Sequence, residues 1–373
     1  NWFALNGIKP FDKPEEEKTT KIKVGWLNEA KDYYFSLDDM TEEPYRLTVT
    51  GFSDCEVELY QLNSTQAHIG RGVTWGEIPQ APEASFYDFL QPFVTQEELP
   101  TSSSYQLFCL RLTGTAPGKW QGEIRATQGK ISVSKTLTFE VLPLLLPTQT
   151  APTLELWQYP FAVARYYQIE PKDYFNKAHC ERIADLAIGQ PHLGDQTVFR
   201  QWCEQRRTKG LATSIYNCVG DYPAMFLYSH PLESQWVIWN TVAYGADGFL
   251  RWALDAWVKD PLVNGSHWYW ESGDPFLLYP GTNGTMMSLR FQQMQQALND
   301  SRKHLFLQNK QPALVSEVTR LLDGWAQLSG ETNDYGAQVP FSENETLQLI
   351  QTIQQMHDLL EKGARAYLKE SNK

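Results

Sequence analysis

From about residue 20 to residue 145 the chain alternates apolar and polar positions at period two. KIKVGW (21–26), RLTVTGF (46–52), CEVELYQL (55–62), YQLFCLRLTG (105–114), KWQGEIRAT (119–127) and ISVSKTLTFEVLPL (131–144) each read as half-buried strands. Pro-Gly and Thr-Gly turn signals separate several of them, and no amphipathic helix intervenes. This pattern predicts an N-terminal β-sandwich over residues 1–148. The stretch 70–99 reads as a long loop whose aromatics cover one end of that sandwich. LLPTQTAP (145–152), with its two prolines and no periodicity, marks a domain boundary.

Beyond the boundary the grammar changes. LELWQYP (154–160) is a short strand, and residues 162–189 are helix-rich with a break at Pro171. VFRQWCEQRRTKG (198–210) is an amphipathic helix ending at Gly210, a C-cap signal. LATSIYN (211–217) is a buried strand, Leu232–Gly245 a helix with Trp236, Trp239 and Val242 on one face, and Gly248–Ala253 a strand. Alternation of this kind predicts a parallel α/β layer, here an incomplete (β/α) barrel-like domain over residues 149–308. Met286–Leu307, Ala313–Leu328 and Leu347–Leu368 have helical spacing, and the last two form a C-terminal helical hairpin within 309–373. The fold class is therefore multidomain, β followed by α/β and then helices. A complete barrel needs about 200–250 residues, whereas Leu154 to Leu307 supplies only about 150. The run IGQPHLGDQ (188–196) would have to hold the missing units and is too short, so either the fold is a smaller, incomplete α/β layer or an internal segment is absent there.

Composition narrows the partners. A net charge of −12 argues against nucleic acid or an anionic membrane surface. The five cysteines, Cys55, Cys109, Cys180, Cys203 and Cys218, are scattered without C-x-x-C spacing, and the histidines form no ligand motif. Neither a metal nor another cofactor is expected. No apolar run is long enough to span a bilayer, and no leader is visible, so cytoplasmic placement is the default with secretion left open. The unusual quantity is aromatic content, 13% of residues with 13 Trp.

Those aromatics concentrate in GFLRWALDAWVKDPLVNGSHWYWESGDPFLLYPG, Gly248–Gly281. Trp252, Trp257, Trp268, Tyr269, Trp270 and Tyr279 lie there among Asp255, Glu271 and Asp274, in a stretch that Gly and Pro mark mostly as loop. Flat aromatic faces beside carboxylates suit a sugar ring, whose C–H face stacks while its hydroxyls seek oriented acceptors. The competing reading is a capping loop that buries its tryptophans against neighbouring helices. In a barrel-like layer the chemistry sits at the C-terminal ends of strands, here Tyr216–Cys218 and Trp252–Trp257.

Several segments in order resemble glycoside hydrolase family 123 and related proteins sharing its catalytic domain. They are SFYDFLQPF (85–93), APGKWQGEIRA with LTFEVLPLLLP, LELWQYPFAVARYY (154–167), SIYNC (214–218), GADGFLRWALDAW (245–257), GDPFLLYPG (273–281) and SLRFQQMQQALND (288–300). The resemblance implies a TIM-barrel β-N-acetylhexosaminidase of the N-acetylgalactosaminidase type, acting on an oligosaccharide or glycoconjugate. It implies retention through substrate assistance, in which the 2-acetamido oxygen attacks the anomeric carbon, an exception to the usual two-carboxylate scheme. An adjacent Asp-Glu pair serves the family, the Asp orienting the acetamido group and the Glu protonating the leaving oxygen. No such pair is placed to act here, so no residue is assigned as catalytic. What the resemblance carries over is substrate binding by Tyr216, Asn217, Trp252, Trp257, Asp274 and Tyr279, with Arg165 and Tyr166 as lesser candidates. Trp252 and Trp257 would supply stacking surface. Asp274 would accept from sugar hydroxyls or hold its own loop. Two other readings stay open: a non-catalytic carbohydrate-binding protein on a degenerate barrel, and an assembly module whose sandwich is the working part.

Overall fold

Six of the period-two segments form strands in the computed structural model, which describes residues 1–3, 16–17, 20–69, 83–95, 98–101, 103–148, 152–156, 160–168, 187–189, 195–217, 223–323, 331–332, 338–339 and 343–371. Two sheets occupy the N-terminal part. The first runs in the order Glu16–Glu17, Trp2–Phe3, Ala30–Leu37, Gln106–Gly114, Cys55–His68, Glu83–Pro92. The second runs Lys23–Leu27, Ile131–Leu145, Gly118–Gln128, Tyr45–Gly51, Glu98–Leu99. One hydrophobic cluster draws Tyr33, Phe35, Leu59, Phe108 and Leu110 from the first sheet and Leu47, Ile124, Leu137, Phe139 and Val141 from the second. Alternation along each strand delivers those side chains to a common side.

Two long strands escaped the periodicity. In Ala30–Leu37 the consecutive residues Tyr33, Tyr34, Phe35 and Ser36 are all buried, so both faces are covered and the alternation vanishes. Glu83–Pro92 lies in the stretch read as a loop, because prolines crowd its flanks, yet it buries Phe86, Phe89 and Leu90. Cys55, Cys109 and Cys203 remain thiols. Cys180 and Cys218 lie outside the described residues.

Contacts group the chain into two compact units, Asn1–Asn63 with Phe89–Leu146, and Ser64–Asp88 with Pro147–Lys373. The far part of the hairpin built on Cys55–His68 and Glu83–Pro92 therefore belongs with the α/β unit. So do the C-terminal helices.

The second unit holds a four-stranded parallel sheet in the order Thr153–Leu156, Gly248–Arg251, Ser214–Tyr216, Ala187–Gly189. Helix α1 is Pro160–Tyr167 and α2 is Gln196–Arg207. Asp195 caps α2, its carboxylate accepting the N–H of Val198 at 2.9 Å. Strand Ala187–Gly189, α2 and strand Ser214–Tyr216 thus make one complete βαβ unit. Residues 190–194, between that strand and α2, lie outside the described residues. Thr153–Leu156 and Ala187–Gly189 lie at opposite edges of the sheet, although they follow each other among its strands in the chain.

Helix α3, Glu233–Ala243, is buried on nearly every side rather than along one stripe. Its Gln235 amide donates to Gln293 at 2.7 Å on α4, Leu289–Gln308. The Ser288 hydroxyl caps α4 by accepting the N–H of Phe291 at 3.0 Å. The helix starts later than its periodicity suggested because Gly284–Met287 pairs back on Leu278–Gly281 as a hairpin. Helices α5, Pro312–Asp323, and α6, Glu343–Ser371, pack on each other and on α4. No helix among the described residues is long and apolar enough to cross a membrane.

One buried ion pair ties these pieces together. Arg290, at the start of α4, donates through Nη2 to Asp88 Oδ2 at 2.8 Å and through Nε to the same carboxylate. Its Nη1 donates to the carbonyls of Met225 and Gly273, both at 2.7 Å. Asp88→Ala is expected to cost about 3–5 kcal/mol, because Arg290 would keep its charge without its counterion. Urea unfolding measures this, and a loss below about 1 kcal/mol would show that Arg290 finds other partners.

Candidate functional site

The strand Gly248–Arg251 ends in a charged residue that is only 1% exposed. Arg251 donates through Nη2 to Asp274 Oδ1 at 2.6 Å and also to the Asp274 carbonyl. The next residue, Trp252, donates its indole N–H to Asp274 Oδ2 at 2.9 Å. Both carboxylate oxygens therefore receive protein donors, and Asp274 is fully buried. Its work is to hold the loop against the strand end. It does so through the side chains of Arg251 and Trp252. Glu271 is equally buried and accepts the Tyr228 hydroxyl at 2.8 Å. Burial, with Glu271 adding to it, pushes the Tyr228 phenol well above its usual range. Asp255, also buried, pairs through its backbone with Phe276.

Trp257 and Tyr279 are both buried. Trp257 is 2% exposed, donates its indole N–H to the Leu278 carbonyl at 2.8 Å, and meets the rings of Tyr166 and Tyr167 edge-on at 5.3 and 5.8 Å. Arg165 donates to the Trp257 carbonyl at 3.0 Å. That cluster fastens α1 to the loop. Tyr279 is buried and donates to Asp88 at 2.7 Å, beside Arg290. Asn217, just past the strand Ser214–Tyr216, is buried, and its amide N–H donates to the Pro223 carbonyl. Among the described residues its Oδ1 meets no donor. Tyr216 is half-buried on the strand that pairs directly with Gly248–Arg251. Of the six expected residues, the structure joins Trp252 to Asp274, puts Tyr216 and Asn217 on the adjacent strand end, and buries Trp257 and Tyr279.

The aromatics form a ladder. Trp252 meets Trp270 at 5.4 Å, Trp270 meets Tyr269 at 4.3 Å, and Tyr269 meets Trp268 at 5.5 Å. Its inner end is tied to Asp274 and its outer end, Trp268, is 69% exposed. The hairpin stretch beginning at Ser64 braces this loop. Gln66 exchanges backbone bonds with Val263 and Gly265, the Thr65 hydroxyl donates to the Pro261 carbonyl at 2.8 Å, and His68 N–H donates to Ser266 Oγ at 2.8 Å. Gly265 and Gly273 close around Leu227. A Cβ on either would fall within 2.6 and 2.7 Å of that side chain, and Gly273 also takes a φ of +80°.

Sequence reasoning passed over PAMFLYSHP, residues 223–231. It is buried throughout, and Ala224, Phe226, Leu227 and Tyr228 cluster with Ala67 and Phe86 of the hairpin. An apolar run bounded by two prolines was the available signal. Glu233 follows it, fully enclosed, accepting the N–H groups of His230 at 3.0 Å and Ala224 at 3.3 Å. Burial pushes its carboxyl up to about 8.

Residues 172–307 match the family model described as the glycoside hydrolase 123 catalytic domain. The family resemblance is borne out. The matched stretch runs from before the strand Ala187–Gly189 to the end of α4, and so takes in Asn217, Arg251, Trp252, Asp274 and Arg290. A structure of a family 123 glycoside hydrolase from Clostridium perfringens, described in terms of glycolipid glycan hydrolysis, superposes with a TM-score of 0.80. It is 18% identical, and the match covers 94% of each chain. At that identity the likeness to the family 123 enzyme is one of fold. Domains 4 and 5 of the S-layer protein SbsC (TM-score 0.17, 11% identity, 33% of this chain and 48% of that one) superpose too loosely to bear on the question. So does the ASH/PapD-like domain of human CEP192 (TM-score 0.20, 12% identity, 37% and 94%). No curated protein matches the chain.

Two stability measurements separate framework from surface. Asp274→Ala is expected to cost about 3–5 kcal/mol in urea unfolding, since Arg251 would lose its counterion in the interior. Glu233 has a folded pKa above its unfolded value, so the folded state holds its proton more tightly. Its contribution is present below about pH 4.5 and is lost as pH rises towards about 8. Glu233→Gln should flatten that decline, and an unchanged slope between pH 5 and pH 8 would disprove the assignment.

Proposed function

We propose that this protein is a glycoside hydrolase of the family 123 type, acting on β-linked N-acetylgalactosaminides in a glycan or glycoconjugate. The carrying observation is the match of residues 172–307 to the catalytic-domain model. A sugar site at the strand ends is supported by Asn217, whose buried Oδ1 has no donor among the described residues, and by the half-buried Trp252 on the neighbouring strand. A 2-acetamido N–H or a hydroxyl would satisfy such an acceptor.

The resemblance brings a mechanism with it. The substrate's acetamido oxygen forms the bond to the anomeric carbon as the glycosidic bond breaks, and a carboxylic acid gives its proton to the leaving oxygen. Water then opens the cyclic intermediate with retention. The chain contains no adjacent Asp-Glu pair to do this work. Strand order supports further βα units between Tyr167 and Ala187 in the encoded protein. The first strand, Thr153–Leu156, pairs in parallel with Gly248–Arg251, the last strand of the sheet. Pairing of first with last is how a (β/α) barrel closes.

The missing pair also favours a second reading, a carbohydrate-binding protein without turnover. The gene decides between them. Further βα codons with an Asp-Glu dipeptide between codons 168 and 186 support the hydrolase, and a contiguous gene there leaves the binder. The chain as it stands is expected to bind N-acetylgalactosamine, seen as tryptophan quenching, and to leave p-nitrophenyl N-acetyl-β-galactosaminide uncleaved. Clear hydrolysis by this chain would overturn the account of the absent pair.

A further inference from the structure

We propose that Trp268 and His267 form a second sugar subsite, which takes the residue next to the N-acetylgalactosaminide in a glycan. The proposal rests on the carbohydrate reading above and extends it outward from the strand ends.

Trp268 stands out by exposure. It is 69% exposed, while Trp236, Trp239 and Trp257 in the same unit are buried. Its bare indole keeps a broad apolar face in contact with water. Nor is this one loosely held. The His267 ring stacks against it at 5.8 Å and 29°, and Tyr269 packs at 5.5 Å. His267 is itself fixed, because Nδ1 accepts the backbone N–H groups of Tyr269 at 3.0 Å and Trp270 at 2.9 Å. Those two bonds put the ring proton on Nε2. Burial also holds the His267 pKa below its usual value, against the pull of Asp274, and this keeps Nδ1 an acceptor. On the preceding side, Ser266 N–H donates to Asn264 Oδ1 at 2.9 Å.

The result is a rigid aromatic platform with an N–H donor beside it. A pyranose fits that chemistry, its C–H face on the indole and a ring or hydroxyl oxygen accepting from Nε2–H. The ladder through Tyr269 and Trp270 joins this platform to Trp252 and the strand end. A lipid surface would also accept an exposed Trp and the nearby exposed Val263. It would leave the histidine donor unused, and the net charge of −12 opposes anionic bilayers.

Calorimetric titration of the full chain tests this. Wild type is expected to bind a disaccharide carrying β-linked N-acetylgalactosamine at its non-reducing end about tenfold more tightly than N-acetylgalactosamine. Trp268→Ala should reduce that preference to about twofold or less, with Trp268→Phe between the two. Val263→Ser, in the same loop but outside the subsite, should keep the wild-type preference. Because Trp268 is exposed, thermal unfolding should be unaltered by its replacement. An undiminished preference in Trp268→Ala would overturn the subsite while N-acetylgalactosamine binding stands. So would Trp268-dependent binding to phosphatidylcholine vesicles without a disaccharide preference. If wild type binds neither sugar, the carbohydrate reading fails and the subsite with it.

Discussion

The α/β unit is organised around a charge that has nowhere to go. Arg290 is 2% exposed at the start of a helix, and burial works against its ionised form, yet Asp88 more than restores it. The guanidinium meets that restoration with a fork of donors. Asp88 comes from the hairpin stretch beginning at Ser64, the Met225 carbonyl from the buried loop before α3, and the Gly273 carbonyl from the aromatic loop. Tyr279 shares the same carboxylate. Each element thereby satisfies polar groups that would otherwise be stranded in the interior, where an unpaired charge is far costlier than a missing apolar contact. The geometry of the aromatic loop follows from this constraint, because Gly273 sits one residue before Asp274, the acceptor for Trp252.

A second pair repeats the logic at the strand end. Arg251 and Asp274 are nearly solvent-free, and Trp252 completes the set. Such pairs add little net stability compared with apolar side chains of the same shape, but they specify one arrangement. Specification matters for a loop with so many glycines. Without Asp274, the indole of Trp252 would have no fixed orientation relative to the strand, and the ladder beyond it would lose its inner anchor. The loop buries Trp257 as a cap would, and it leaves Trp268 exposed.

What could be read in the sequence followed the distinction between local and distant causes. Period-two strands such as Gln106–Gly114 and Gly118–Gln128 carried their pattern because one face of each is covered. Ala30–Leu37 hid because both are. The helix boundaries at Asp195 and Ser288 depend on short-range caps, although the hairpin before Ser288 displaced the second one. The aromatic loop was visible from composition alone. Its division of labour was not, since the residues that bury Trp257, Tyr279 and Asp274 are Tyr166, Asp88 and Arg251. Of these, Asp88 lies in a hairpin read as a loop, and Arg251 was read as part of a strand with no role. No spacing rule connects an aspartate at 88 with an arginine at 290.

The strand order bears on how much of the molecule the chemistry needs. A parallel sheet grown by successive right-handed crossovers places each new strand beside the last, and the pairings of Ala187–Gly189, Ser214–Tyr216 and Gly248–Arg251 obey that rule. Thr153–Leu156 breaks it by joining the end of the series, not its beginning. Among the described residues Ala187–Gly189 is an edge of this sheet. In a closing barrel the same edge would be met by strands that follow Thr153–Leu156 in the chain. Those strands would bring their own C-terminal ends to the face where Asn217 and Trp252 already stand. Under the proposed function a proton donor for glycosidic cleavage belongs on that face, and the sequence contains no adjacent Asp-Glu pair to serve there.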